Sequence, residues 1–281
     1  MKIRESQALL FPPYFFLVVF FVLPVLIILS LSFSHNRDFS LGLTLENYIR
    51  ILDPLYFKVL LRSILYAVIA TLTALLIGFP MAYFISFVSP KWKMIFMFLI
   101  LVPFWTNFLV RIFAWLTILG RQGLLNSFLI WTGIITEPLH LLHSGSAVVV
   151  GLVYGELPFM ILPIIAALDR MDISLLEAAT DLGASRFHVF RRIVVPLSIP
   201  GIIAGAIFVF IPALGSFVVP DILGGRDSFM IGNTIKNQFM TVRDWSFGSA
   251  LSMVLMVAVL IGVSAYLKQG KEQSLGMGEY L

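Results

Sequence analysis

The sequence contains no cysteine and few charged residues. The absence of cysteine excludes disulfides, thiol nucleophiles, iron–sulfur clusters and cysteine-ligated zinc. Charged residues make up only 12% of the 281 residues and hydrophobic residues 59%, with a mean hydropathy of +0.99. Soluble domains carry about 25% charged residues, so this composition excludes an ordinary soluble enzyme and a disordered protein. We therefore expect an integral membrane protein.

The excess of basic residues is small. Nineteen Lys and Arg against fifteen Asp and Glu leave a net charge of +4, without a basic run. This pattern argues against nucleic-acid binding and is better explained by the enrichment of Lys and Arg in cytoplasmic loops of membrane proteins. The phosphate-binding pattern G-x-x-x-x-G-K-[ST] does not occur, so the sequence has no site of that kind for ATP.

Six apolar stretches are long enough to cross a membrane, which takes roughly 20 helical residues. Their near-continuous hydrophobicity favours helices over the alternating strands of a barrel. The first stretch is too long for a signal core, so we interpret it as a retained span. The distribution of Lys and Arg favours cytoplasmic N- and C-termini. The predicted spans of this single domain (1–281) are 8–33, 63–88, 94–119, 147–168, 199–223 and 249–267.

Three segments outside the predicted spans have recognisable patterns. The second half of 34–62 has helical spacing. Residues 124–134 (LLNSFLIWTGI) are apolar over too short a length to span, so we expect them at the membrane interface or dipping back into the protein. The polar tail 268–281 is expected to be disordered.

Residues 172–197 form the longest predicted cytoplasmic loop. Asp172 or Ser174 can cap a first helix, and Gly183 permits a turn after it. Pro196 is expected to end a second, amphipathic helix before the fifth span. These features fit a loop that lies on the inner leaflet as well as one that docks into another protein. The apolar face of the second helix is predicted to hold Phe187, Phe190, Ile193 and Val194.

The residue pattern of this loop resembles the EAA motif of ABC importer permeases. Glu177, Ala178 and Ala179 are followed by Gly183 six positions after the glutamate, and Val195 stands where that family usually has leucine. In that family the segment is the coupling helix that docks onto a separate ATPase, so residues 172–197 are called the coupling loop from here on. The resemblance implies ATPase-coupling roles for Glu177, Ala178, Ala179, Gly183, Ala184, Arg186, Ile193 and Pro196.

Further segments, in order over about 43–250, resemble the permeases of bacterial spermidine/putrescine importers. They are TLENYIRILDPLYFKVLLRS, VPFWTNFLVRIFAW, GLVYGELPFMILP, FIPALGSFVVPDILGG and RDWSFGSA. The resemblance implies an all-α, six-helix type I permease fold in the bacterial inner (cytoplasmic) membrane and alternating access. It also implies a second permease subunit as heterodimer partner, two ATPase subunits and a periplasmic polyamine-binding protein. The chain itself would bind no cofactor and have no enzymatic activity, because ATP and Mg²⁺ would be used by the ATPase subunits.

Ionisable residues in the predicted spans are candidates for a substrate path. Glu156 lies in the fourth span, where it either attracts an amine or pairs with Arg111 of the third span. Asp221 ends the fifth span; it is either a helix-end residue or a carboxylate that favours a di- or tricationic substrate.

Aromatic and polar residues next to predicted helix breaks are further candidates. Trp105 and Tyr154 offer ring faces for cation–π contacts, although packing is the alternative for each. Asn107 adds a polar group near Pro103, where the third span is expected to loosen. Phe217 follows a predicted discontinuity in the fifth span and either forms a gate or packs.

The sequence is also compatible with other functions. An importer permease for an opine, ferric ion or anion would share the EAA pattern, although an anion path predicts basic lining residues. A carrier or channel would work without ATP. An intramembrane enzyme would need catalytic groups inside the spans, and none of the four histidines falls in one. His140 and His143 are expected in a solvated loop, and Gly201 and Gly205 at a close helix contact. Asp244 is expected to anchor the start of span six, with contact to a binding protein as the alternative.

Overall fold

The computed structural model of the chain describes residues 12–35 and 43–278, with side chains described up to residue 264. The described residues are helical almost throughout. Six of the helical stretches are long and apolar enough to cross a membrane: Pro12–Ser32, Pro54–Phe87, Phe108–Trp131, Gly145–Leu168, Arg186–Gly215 and Trp245–Ser264. The prediction of an all-helical protein with six membrane-spanning segments is confirmed.

The helices are numbered along the chain. They are α1 (Pro12–Ser32), α2 (Glu46–Ile51), α3 (Pro54–Phe87), α4 (Pro90–Leu101), α5 (Phe108–Leu119), α6 (Leu124–Trp131), α7 (Gly145–Leu168), α8 (Ser174–Asp181), α9 (Arg186–Gly215), α10 (Val218–Leu223), α11 (Ile231–Asn237) and α12 (Trp245–Gly278). Helix α2 and the start of α3 account for the helical spacing predicted in 34–62. The tail predicted to be disordered is helical as far as Gly278.

The chain divides into two compact units. The first draws on Met1–Lys58 and Thr234–Gly262, and the second on Val59–Asn233 and Val263–Leu281. In the first unit, the buried Asn47 of α2 donates hydrogen bonds from Nδ2 to the carbonyl oxygens of Ser32 (3.1 Å) and Ser34 (2.9 Å). That side chain therefore ties α2 to the end of α1.

Helix α7 is the most buried spanning helix of the second unit. It packs against α9, where a Cβ on Gly201 would lie 2.6 Å from the Pro163 carbonyl oxygen and one on Gly205 would lie 2.9 Å from Met160 Sδ. Glycine at both positions lets the two helices approach closely, as predicted. Helix α3 buries a stripe of mostly small residues: Ser63, Ala67, Ala70, Ala74, Gly78, Ala82 and Ile85.

The third span differs from the continuous helix predicted over 94–119. Helix α4 ends at Leu101, a 3₁₀ turn occupies Val102–Trp105, and α5 begins only at Phe108. The new start is capped by Asn107, whose Oδ1 accepts a hydrogen bond from Leu109 N at 2.8 Å. Proline within the turn cannot donate the backbone hydrogen bond of a continuing helix, so the loosening predicted at this point is a complete break.

The segment predicted as too short to span belongs to a longer apolar stretch. A turn at residues 120–123 separates helix α6 (Leu124–Trp131) from α5, and Phe108–Trp131 taken together meets the length and composition of a span. This stretch overlaps the predicted third span (94–119) over Phe108–Leu119. Buried Asn126 holds the turn, because its side chain donates to the carbonyls of Gly120 and Leu139 and accepts from Leu139 N.

Candidate functional site

The first half of the coupling loop is a short helix with a polar start. Asp172 Oδ1 accepts a hydrogen bond from Ser174 N at 2.9 Å, next to the first residue of α8. This backbone hydrogen bond, with a second from the Ser174 side chain, lowers the pKa of Asp172 below its usual value. Glu177 is exposed in the first turn of α8, where its charge suits the helix dipole. The N-cap position is Ile173, so the predicted cap by Asp172 or Ser174 is not made in the predicted form, although the helix does begin at Ser174 and Asp172 accepts a hydrogen bond from its first N–H.

The two halves of the loop meet at a glycine turn. Gly183 has a φ of +84°, in the left-handed region that disfavours residues with a side chain. Its N–H donates to the carbonyl of Thr180 at 2.9 Å, and Ala184 N donates to the carbonyl of Ala179 at 3.0 Å. These are the two hydrogen bonds of a Schellman cap. The predicted turn at Gly183 therefore has a specific geometric reason.

The second half of the loop continues without interruption into the fifth span. Helix α9 runs from Arg186 to Gly215, with a π-helical turn at Phe190–Val194. The prediction that Pro196 ends a helix is wrong, because Pro196 lies at the start of the α-helical part, directly after this turn. Proline is tolerated in the first turn of a helix, where its missing N–H is not required.

Phe190 packs the loop onto α3. Its ring makes edge-on contacts with Phe79 (centroids 5.9 Å apart) and Tyr83 (5.5 Å). Val194 is buried, but Phe187 is exposed, so the predicted apolar face does not include it. A displacement of the coupling loop would therefore act on α3 through Phe190 and on the fifth span through the backbone of α9.

The surface of the coupling loop exposes large apolar side chains. Leu182 is 89% exposed, and Leu175 and Phe187 are exposed as well. Ala178 is exposed and Ala179 half-buried beside them. Apolar side chains next to small ones, on a loop that is otherwise polar, are typical of a surface that docks into another protein.

The break in the third span places two predicted path residues at the surface of this chain. Trp105 is 79% exposed and makes an edge-on contact with Phe98, with ring centroids 5.8 Å apart. Asn107 is exposed and uses its side-chain oxygen as a helix cap. Neither residue lines the cavity found in this region.

A cavity of about 310 Å³ lies beside this break, between helices long and apolar enough to span a membrane. Tyr154 of α7 contributes to its wall and packs edge-on against Trp115 at a centroid distance of 5.5 Å. The full lining comprises Met81, Ile85, Phe96, Leu99, Ile100, Pro103, Phe104, Arg111, Tyr154, Leu157, Pro158 and Ile161. Among the predicted path residues, Tyr154 is in the lining, and Trp105, Asn107, Glu156, Phe217 and Asp221 are outside it.

Arg111 and Glu156 do not form a direct ion pair. The ion pairs within 4.0 Å among the described residues join other groups. The guanidinium of Arg111 instead lies over the rings of Phe104 (4.6 Å) and Phe108 (5.6 Å). Its charge still acts electrostatically on the half-buried Glu156. Of the two alternatives for Glu156, the direct pair with Arg111 is therefore not made in this structure.

The fifth span has the predicted discontinuity. Helix α9 ends at Gly215, Ser216 and Phe217 are not helical, and α10 begins at Val218. A Cβ on Gly232 would lie 2.4 Å from the carbonyl oxygen of Gly215, so α11 packs tightly against the break. The break is therefore part of the packed structure of the second unit.

Asn233 is a residue in this region that the sequence did not single out. It is buried; its Nδ2 donates to the carbonyl of Phe217 at 2.9 Å and to Asp221 Oδ1, and its Oδ1 accepts from Met230 N at 3.0 Å. Asn233 therefore fixes two candidate path residues at once. An isolated asparagine in a mixed polar segment carries no pattern that would have predicted this.

The remaining polar candidates have structural roles. His143 has a φ of 57°, and its Nδ1 lies 3.4 Å from the carbonyl oxygen of Gly224. The part of the chain that the structure describes contains no group of three or more His, Cys, Asp or Glu residues placed to hold a metal ion. Asp244 accepts a hydrogen bond from Phe247 N at 3.1 Å, which fits its predicted place at the anchored start of span six.

Comparison with known proteins gives consistent matches. Residues 74–270 match the family described as "Binding-protein-dependent transport system inner membrane component". The chain is 46% identical over 253 residues to the spermidine/putrescine transport system permease protein PotB of Escherichia coli K12, covering 89% of this chain and 92% of that protein. It is 43% identical over 258 residues to PotB of Haemophilus influenzae, covering 91% and 90%.

A solved structure supports the same fold. A bacterial ABC transporter involved in the import of the acidic polysaccharide alginate contains a chain that matches with a TM-score of 0.80 at 16% identity, over 96% of both chains. At that identity the match shows the fold alone, which is that of an ABC importer permease. The chain is thus a member of the family of binding-protein-dependent transport system inner membrane components.

Proposed function

We propose that this chain is a permease subunit of an ATP-driven importer that moves polyamines, spermidine or putrescine, across the inner membrane by alternating access. The proposed substrate rests on the 46% identity to PotB over 89% of the chain. The family match supports transport as the activity, and the family is one of transport components rather than enzymes. The fold match supports an importer permease architecture.

The coupling loop supports control by a separate ATPase. We assign the contact surface to residues around the Schellman turn at Gly183, where Leu182 and Phe187 are exposed. Glu177 and Arg186 add exposed charges of opposite sign on the two sides of this turn. The ATPase subunits, two per complex, would bind and hydrolyse ATP with Mg²⁺. The full set proposed for coupling is Glu177, Ala178, Ala179, Gly183, Ala184, Arg186, Ile193 and Pro196.

The proposed path uses carboxylates and aromatic rings, which suit a polycationic substrate. Asp221 is held by Asn233 beside the break in the fifth span, next to Phe217. Glu156 lacks a direct ion pair with Arg111 and is half-buried in α7, so its carboxylate is a candidate for an ammonium group. Trp105, Asn107 and Tyr154 complete the proposed set of path residues.

The proposed assembly contains a second permease subunit, the two ATPase subunits and a periplasmic polyamine-binding protein. Both termini of this chain would lie in the cytoplasm, which places the coupling loop on the ATPase side. The excess of Lys and Arg in the segments assigned to the cytoplasm supports this orientation.

The test is uptake of radiolabelled spermidine and putrescine into proteoliposomes that contain the complete complex, with ATP inside and binding protein outside. We expect saturable, ATP-dependent uptake that Glu177→Lys abolishes while the complex stays assembled. Glu137→Lys is the matched control, because it makes the same charge change at an exposed residue outside the coupling loop. Polyamine uptake without ATP would contradict the importer assignment.

The main alternative is a permease of the same family for another small solute, such as an opine or ferric ion. It predicts ATPase activity that is stimulated by a different loaded binding protein, without polyamine uptake. That result would retain the coupling mechanism and reject the polyamine.

A further inference from the structure

The cavity beside α5 has one charged group, Arg111, in a wall that is mostly apolar. Its volume of about 310 Å³ lies at the lower end of the range of small-molecule sites. Aliphatic and aromatic side chains such as Leu99, Leu157 and Ile161 form most of the surface, and Arg111 supplies the charge. Sites that bind organic ligands typically combine an apolar wall with a few polar groups that fix orientation.

The guanidinium of Arg111 lacks a direct anionic partner. Its Nε is buried and has no hydrogen-bond partner, and no carboxylate among the described residues lies within 4.0 Å of the group. The guanidinium lies over the faces of the Phe104 and Phe108 rings, which stabilise its charge. Neither ring accepts a hydrogen bond from the N–H groups that lie in the guanidinium plane. A buried charge within a membrane span is unfavourable unless an anion or water compensates it.

The chemistry of this cavity does not suit a polyamine. A guanidinium in the wall repels an ammonium group, and the lining contains no carboxylate that would attract one. Glu156, the nearby carboxylate on α7, is not part of the lining. A ligand that matches this wall has an anionic head group for Arg111 and an alkyl chain for the apolar side chains.

We propose that this cavity binds an amphipathic anion, with its carboxylate or phosphate on Arg111 and its alkyl chain between Leu99, Leu157 and Ile161. Guanidinium pairs with both head groups through two parallel N–H···O hydrogen bonds. Fatty acids and anionic phospholipids share this chemistry, and the membrane supplies both. Occupancy would neutralise Arg111 and fill the space next to the break at Val102–Trp105. This site shares Tyr154 with the proposed polyamine path, but the proposal rests on Arg111 and does not depend on the substrate assignment.

Photo-crosslinking of the full chain, purified with the subunits that accompany it in phosphatidylcholine nanodiscs, tests the site. One arm uses palmitic acid with a diazirine in its chain, and the other uses phosphatidylglycerol with a diazirine in one acyl chain. We expect an adduct on peptides that line the cavity, competed by excess unlabelled probe. The arm that gives the adduct identifies the source of the anion. Arg111→Met should reduce the adduct roughly tenfold or more through loss of the charge-assisted hydrogen bonds.

Two further variants separate ligand loss from misfolding. Leu157→Phe fills the cavity and keeps the charge, so it should also reduce the adduct; Leu109→Phe adds the same volume outside the lining and should not. Arg226→Met removes an exposed cation that is far in sequence from every lining residue, and it should leave the adduct unchanged. Assembly of each variant is checked by size-exclusion chromatography. The proposal is overturned by the absence of a saturable adduct, by an adduct that survives both Arg111→Met and Leu157→Phe, or by competition from spermidine.

Discussion

Arg50 and Asp244 form an ion pair, with Nη1 of the arginine 3.0 Å from Oδ2 of the carboxylate. The guanidinium also lies 4.0 Å from the centroid of the Phe247 ring. The side chain of Asp244 is only 6% exposed, whereas that of Arg50 is 43% exposed. This contact joins α2 to the start of α12 within the first unit.

Replacing Arg50 by methionine should destabilise the first unit. The nearly buried Asp244 would lose its counter-charge, which costs about 3–5 kcal/mol for a fully buried pair and roughly 1–3 kcal/mol here because Arg50 is partly exposed. We expect a lower thermal unfolding temperature of the purified protein in detergent. Lys93→Met is the control, since it breaks the more exposed ion pair with Asp169 and should cost about 0–1 kcal/mol. Equal losses in both variants would contradict the prediction.

Alanine at Gly183 should weaken coupling by straining the turn. The φ of +84° is unfavourable for alanine by about 1–2 kcal/mol, although a Cβ there would meet no atom within 4 Å. Gly183→Asn should retain more activity, because asparagine tolerates the left-handed region better. The readout is the ratio of transport to ATP hydrolysis in proteoliposomes. If alanine and asparagine behave alike, backbone strain is not the cause.

Protonation of Asp172 should loosen the start of the α8 helix. Its hydrogen bond from Ser174 N lowers the pKa of the folded form, so the stabilisation is present above the ordinary pKa of about 3.9. It is lost as the pH falls through the lowered value. Hydrogen exchange at Ser174, followed by mass spectrometry, should be slower in the wild type than in Asp172→Asn at neutral pH. The two proteins should converge once the pH has fallen below the lowered pKa of Asp172, and a difference that persists in stronger acid would argue against this role.

Valine at Gly201 should disrupt the contact between α7 and α9. The added side chain would meet the Pro163 carbonyl oxygen at 2.6 Å and the Ala167 Cβ at 2.7 Å. Overpacking of this kind costs typically 1–3 kcal/mol, and it should lower the thermal stability of the purified chain. Gly262→Val is the matched control, because a Cβ at Gly262 would meet nothing within 4 Å. Similar stability of both variants would show that the helices can separate at little cost.

The spans could be predicted from hydrophobicity, because a helix that crosses the hydrocarbon region needs a long run of apolar residues. The fourth span was placed within two residues of Gly145–Leu168. The glycine pair at 201 and 205 and the turn at Gly183 were also identified, since each depends on a local property of glycine.

The sequence was less informative where tertiary contacts decide the outcome. Pro196 was predicted to end a helix, but a π-helical turn before it removes the need for its N–H. The part played by Asn233 depends on partners that are 3 to 16 residues distant in the chain. Arg50 and Asp244 are 194 residues apart, and neither has a local pattern that would predict their pairing.

The uninterrupted course of α9 has a mechanical consequence. Thirty residues from Arg186 to Gly215 form one continuous helical stretch about 45 Å long, at 1.5 Å per residue, in which the π-helical turn at Phe190–Val194 and the internal Pro200 and Pro212 are the points where it can bend. A tilt of about 10° over that length displaces one end relative to the other by about 8 Å. The residues that follow α9, Ser216 and Phe217, are not helical, so a movement of α9 can change the chain direction there. With these points straight, a small rotation at Arg186 would be carried along α9 and enlarged at Gly215, six residues before Asp221.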